Sequence, residues 1–205
     1  MTAKGTIETG MSESIELMPV KGTTNEYWLV YYHFRAGKMK VRKVTPSGVS
    51  DVITQSVNPG PYLSTNISTG SNYSFVLKSN ATHNQPFLTI PIGANGSYVY
   101  DFNPVDGQIR QNRFVSTPGV HSSLYNADFS PNGRYIYYSS YSANNKMYRY
   151  DLQTSAVIGY PIIFTNITTG NVGGGLKRGP DGKMYVGRAQ TSYLEVTETP
   201  GSSKK

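Results

Sequence analysis

The 205-residue sequence contains no cysteine. Disulfides, thiolate metal centres, thiol redox chemistry and a cysteine nucleophile are therefore excluded together. Charge is sparse as well: Asp, Glu, Lys and Arg make up 15% of the chain, against about 25% in an average globular protein. No apolar run approaches the roughly 18 residues a membrane-spanning helix needs, so no membrane insertion is expected. The opening MTAKGTIETG has no apolar stretch behind Lys4, and the chain as written is expected to carry neither a signal peptide nor an anchor. Net charge is +7, but the excess comes from only 12 acids against 19 bases. A nucleic-acid partner is accordingly not expected.

What the chain does have is tyrosine (17) and glycine (21), with much Ser, Thr and Asn and little Leu or Ala. Strand formers are plentiful and helix formers are short. A repeat organises them. FSPNGRYIYYSS (Phe129 to Ser140) matches RGPDGKMYVGRA (Arg178 to Ala189), with Pro131, Asn132 and Gly133 in register with Pro180, Asp181 and Gly182. Asn-Gly and Asp-Gly supply the positive φ of tight hairpin turns, so each copy reads as a turn feeding a strand. A second pair, VYDF and RYDL, places Asp101 and Asp151 at nearly the same spacing. Recurrence once per unit argues for a structural task, and both carboxylates are expected to be buried and to accept hydrogen bonds at a turn.

Four-stranded units of about 40 to 50 residues with no helical segment are the signature of an all-β fold, a β-propeller whose blades bury their faces by stacking around an axis. The expected blades are 15–57, 73–115, 124–164 and 172–198, with 1–9 as an extra outer strand, all in one domain spanning 1–205. The second copy has drifted, with NATHNQ where the Pro-Asn-Gly turn belongs. Such a chain is either a four-bladed ring closed by its N-terminal strand or a slice of a larger, six- to eight-bladed ring.

The order EYWLVYYHF, KVTPSGVS, YVYDFNPVDGQI, YNADFSPNGRYIYYSS with MYRYDL, then GPDGKMYVGRA with YLEVTETP resembles the propeller region of large secreted Bacteroidota proteins. Those proteins carry a gliding-motility-associated, type IX secretion sorting domain at their C-terminus, and their propellers have Tricorn-type repeats. The resemblance spans nearly the whole chain. It implies a secreted or cell-surface parent, with further blades, an export signal and immunoglobulin-like modules belonging to the family pattern outside this sequence.

Catalytic constellations are wanting. His33, His83 and His121 form no metal-binding helix spacing, and there is no G-x-S-x-G elbow. GNVGGGLKRG, including Gly173 to Gly175, has neither phosphate-loop nor dinucleotide spacing and leads into a strand. Its glycines are expected to let inner strands approach closely. Asp106 and Asp181 read as turn residues, so a channel ion would have only Asp128 and Asn126 to hold it, and one strand is not a metal site. No cofactor is expected.

Lys38, Lys40 and Arg42 alternate along a strand, with Met39 and Val41 on its other face. They form a solvated blade face or, less favoured, an anion-binding stripe. Tyr135 and Tyr137 share one strand face and Tyr138 the other, which suits cross-strand aromatic packing between blades. The expected ligand or partner surface is His121, Tyr125, Lys38, Lys40 and Arg42. The whole reads as a non-enzymatic interaction module for a protein or glycan partner, with a lactonase-like or lyase-like propeller enzyme and a passive spacer as the alternatives.

Overall fold

The computed structural model describes residues 5–9, 11–33, 38–55, 78–79, 87–91, 96–116, 124–140, 147–158, 175–187 and 194–197. Every regular element among them is a β-strand. The NATHNQ turn, His83, His121, Gly173 and Gly174 lie outside these residues, as does the Tyr125 side chain.

Among the described residues, four antiparallel sheets follow one another along the chain. The first contains β1 (Met11–Pro19), β2 (Tyr27–His33) and β3 (Lys38–Thr45), and its far edge is shared by β4 (Gly48–Val49) and β5 (Ile53–Gln55), which both pair with β3. Ser50 causes that split. Its amide donates to the Lys43 carbonyl, its hydroxyl accepts from the Lys43 amide, and its carbonyl accepts from Arg42. The second sheet runs β6 (Lys78–Ser79), β7 (Phe87–Pro91), β8 (Gly96–Phe102), β9 (Ile109–Ser116). The third runs β10 (Leu124–Phe129), β11 (Tyr135–Ser140), β12 (Met147–Asp151), β13 (Ala156–Ile158). The last holds β14 (Leu176–Arg178), β15 (Met184–Gly187) and β16 (Leu194–Thr197).

Period-two alternation sends each strand's side chains to opposite faces, and the faces pack in chain order. Met18, Trp28, Val30, Tyr32, Met39 and Val41 of the first sheet meet Tyr98, Tyr100 and Phe102 of the second. The opposite face of the second sheet, through Val99 and Val115, meets Ala127, Phe129, Ile136, Tyr138, Tyr148 and Tyr150 of the third. Tyr137 and Met147 then pack on Leu176, Met184 and Val186 of the fourth. The tyrosines of β11 thus split between two junctions, Tyr137 on one side and Tyr138 on the other, as alternation requires.

Polar bridges cross the same junctions. The buried Gln55 amide donates to the Gly107 carbonyl at 2.6 Å and accepts from the Ile109 amide at 2.7 Å. The Trp28 indole donates to the Pro104 carbonyl at 3.0 Å. From the second sheet to the third, Arg113 donates to the Leu152 carbonyl at 3.0 Å and to the Ser155 hydroxyl at 2.7 Å.

The expected outer strand at 1–9 is not found in its described part: residues 5–9 have no strand pairing. Glu8 explains the difference, because its carboxylate is drawn onto the face of the first sheet by Tyr31, Lys40 and Arg42.

Gly107 has φ +75, and a Cβ there would stand 3.0 Å from the Trp28 ring, whereas Gly22, with φ +86, has nothing within 4 Å. Gly22→Ala is expected to cost about 1 kcal/mol in backbone strain alone, and Gly107→Ala roughly 2–3 kcal/mol because a packed ring must also shift. Urea unfolding followed by the fluorescence of Trp28, the sole tryptophan, measures both. Equal costs would show that the ring contact contributes nothing.

Candidate functional site

The repeated turn motif is built alike in its two copies. Gly133 donates to the Ser130 carbonyl and Gly182 to the Gly179 carbonyl, while the loops close differently, Ser130 donating to the Tyr135 carbonyl and Gly179 to that of Lys183, the counterpart of Arg134. Asn132 and Asp181 each accept from the amide two residues on, Arg134 at 3.1 Å and Lys183 at 3.1 Å. Pro131 and Pro180 precede them at the turn position where a fixed φ near −65° suits the chain. Only the glycines have positive φ, 66° and 79°. Asn132 and Asp181 therefore work through their side-chain oxygens, not through a left-handed backbone. Asp106 acts in the same way, accepting from the Gln108 amide at 2.9 Å.

Asp101 and Asp151 part company. Asp151 is buried, receives Arg134 on both oxygens, and accepts from the Gln153 and Thr154 amides. Asp101 is exposed, which corrects the expectation of two equivalent buried carboxylates. The register supplies the reason. Asp151 lies opposite Tyr135, preceded by Arg134, which folds onto it, whereas Asp101 lies between Phe87, which follows Pro86, on one side and Arg110 on the other.

Asp128 and Asn126 lie buried on β10. Asp128 accepts from its neighbour's amide, Phe129, at 2.8 Å and from the Arg178 amide of the last sheet at 2.8 Å. Asn126 accepts from the Ala127 amide at 2.7 Å. Both carboxylate oxygens of Asp128 are thus used on backbone N–H groups, one of them across a sheet junction, and Arg178 adds a contact to the Ser130 carbonyl at 3.3 Å. Gly175 holds the start of β14 by accepting from the Gly187 amide at 2.8 Å.

Among the described residues, the basic stripe forms an organised polar cluster on the outer face of the first sheet. Alternation puts Lys38, Lys40 and Arg42 beside His33, Tyr31 and Leu29 respectively. Lys38 is exposed, but the Lys40 and Arg42 side chains are about 85% buried, so they do not form the solvated face expected of them. They close around Glu8. Tyr31 Oη donates to Glu8 Oε2 at 2.5 Å, Lys40 Nζ donates to Oε1, Arg42 reaches Oε2 at 3.4 Å, and His33 Nε2 lies 3.5 Å from Oε1. Arg42 Nε also donates to Tyr31 Oη at 3.0 Å, so the phenol relays the guanidinium's pull to the carboxylate. Glu8 was not singled out in the sequence because nothing in a lone acid marks which cations it will meet.

Burial opposes ionisation of Glu8, but hydrogen bonds from Lys40 and Tyr31 and the charge of Lys40 outweigh it and hold the carboxyl at about 2. Arg134, against the opposing effect of burial and with the two backbone amides, holds Asp151 at about 2. Both folded values lie below the ordinary 4.5 and 3.8. Each group therefore stabilises the fold above its unfolded value, and that stability is lost as pH falls toward 2. Asp151→Asn is expected to flatten the decline below pH 4 by roughly 1–2 kcal/mol, since the half-exposed Arg134 is screened by solvent. Urea unfolding of wild type and variant at pH 7, 4 and 2.5 checks this; parallel declines would remove Asp151 from the account.

No protein-family model matches the chain, and no curated protein matches it. Solved structures do. A structural genomics protein of unknown function from Bacteroides thetaiotaomicron VPI-5482 superposes with a TM-score of 0.58 at 14% identity, over 96% of this chain and 44% of that one. The Cps50 (Swd1) β-propeller domain of Myceliophteria thermophila superposes with a TM-score of 0.54 at 7% identity, over 91% of this chain and 50% of that one. The chain has the β-propeller fold and spans about half the length of these structures.

Proposed function

We propose that this propeller is a non-catalytic interaction module that holds a protein or glycan partner, from a protein of the secreted or surface-displayed Bacteroidota kind that its motifs resemble. One observation carries the reading. Asp128 and Asn126, the inner-strand groups best suited to hold a channel ion, are both buried and taken up by backbone amides within β10 and across to β14. Their chemistry is that of a clamp between sheets. A cation drawn to Asp128 would compete with the Arg178 amide for the oxygen that closes the junction, so the arrangement favours binding through the surface over reaction in the channel.

The test is a glycan array and a panel of purified surface proteins, with calcium titrated in a parallel melting experiment. A saturable partner with Kd below about 100 μM and a melting temperature unmoved by calcium is the expected result. Blank screens would leave a passive spacer as the better reading. A rise of several degrees with calcium that Asp128→Asn abolishes would overturn it in favour of a propeller enzyme.

A further inference from the structure

The outer face of the first sheet holds one carboxylate in a socket made by two cations and a phenol, and the carboxylate belongs to a segment with little else to hold it. Gly5, Thr6, Ile7 and Thr9 are exposed, and the segment pairs with no strand. Among the described residues, its side-chain hydrogen bonds to the sheet all run through Glu8. The socket, by contrast, is fixed. Tyr31 is 1% exposed, and Tyr31, Lys40 and Arg42 stand on two paired strands, β2 and β3, whose opposite faces form the core.

An empty socket is costly. Lys40 and Arg42, about 85% buried with Glu8 over them, would be left side by side with only water in place of their counter-charge. A carboxylate is therefore the group best matched to this site, and a second one can compete with Glu8 for it. The contacts also specify the shape of that group, since Tyr31 and Arg42 address one oxygen while Lys40 and His33 address the other. Beside the socket, on the same face, Ile15 and Leu17 are more than half exposed, opposite Tyr31 and Leu29. The surface thus offers a charged anchor point with apolar ground next to it, and the occupant it already has is a short piece of peptide.

We propose that this face is a docking site for an acidic peptide segment of a partner protein, and that Gly5–Thr9 is a displaceable internal occupant that keeps it closed. The proposal rests on the interaction-module reading and gives it a site and a ligand class. A tethered occupant acts at an effective concentration in the millimolar range, so the wild-type site is masked against weak ligands and open to strong ones. Lys40 and Arg42 serve as the anchor, Tyr31 as the donor that orients the carboxylate, and Glu8 as the competitor.

The probe is a fluorescein-labelled peptide copying residues 2–10. By anisotropy, the full chain carrying Glu8→Gln is expected to bind it at least ten-fold more tightly than wild type, because the internal competitor has lost its charge. A peptide with Gln in place of its Glu should bind at least ten-fold more weakly, as should the Glu8→Gln, Arg42→Gln double variant. Equal binding by wild type and Glu8→Gln, or no penalty for the uncharged peptide, would overturn the proposal. A second arm avoids the vacated socket altogether. The chain has no cysteine, so Thr6→Cys gives one labelling site on the segment. An environment-sensitive dye there should respond saturably to the same peptide without its label, and a dye that stays silent at 10-fold excess over the effective concentration of the tether, on the order of 10 mM peptide, would overturn displacement. If wild type captures a partner in the glycan and protein screens while Glu8→Gln binds no peptide, the site fails and the module reading stands.

Discussion

The structure depends on face-to-face burial between consecutive sheets. The second and third sheets are apolar on both faces, with Tyr98, Tyr100 and Phe102 turned one way and Val99 and Val115 the other in one case, Tyr138 and Tyr137 in the next. Neither could exist as a two-layer structure with one wet side. Each fully buried side chain of this size contributes about 1.5–3 kcal/mol relative to exposure, and that gain is available only while both neighbours are present. Stacking around an axis is the arrangement that satisfies every such sheet at once.

Apolar packing alone leaves the sheets free to slide, and the buried polar groups remove that freedom. Gln55, Arg113 and Asp128 each span one junction and each bonds to backbone of the next sheet. Backbone partners fix register in a way that side-chain partners do not, because a shift of one residue would leave a buried donor or acceptor unmade. The three bridges are chemically different, an amide, a guanidinium and a carboxylate. The junctions are therefore equivalent in architecture and individual in detail.

Much of the fold is legible in the sequence because it is written locally. Pro-Asn-Gly and Pro-Asp-Gly mark turns, and the alternation of Met39 and Val41 with Lys38, Lys40 and Arg42 marks a strand with one dry face. What the sequence does not disclose is which distant groups meet. Lys40 and Arg42 read as solvated because their strand is polar on that face, and they are covered because Glu8, 32 and 34 residues away, lies over them. The Asp101 and Asp151 pair misleads for the opposite reason: the repeat preserves the carboxylate in both units but sets Arg134 before the strand partner of only one, so sequence likeness does not carry the burial with it. For His121 and the Tyr125 side chain, the expected partner surface lies outside the described residues.

Chain order and sheet order coincide from β1 to β16. As the polypeptide leaves the ribosome, each sheet is complete before the next begins, and the surface it must cover has already been made. The first sheet emerges with Trp28, Val30 and Tyr32 waiting for Tyr98 and Tyr100, and Gln55 is synthesised at its trailing edge, in place to receive Gly107 and Ile109 when the second sheet arrives. Assembly is thereby directional. Among the described sheets each junction is made at the growing end, while Glu8 is already available to cover the charged groups on the other face of the first sheet.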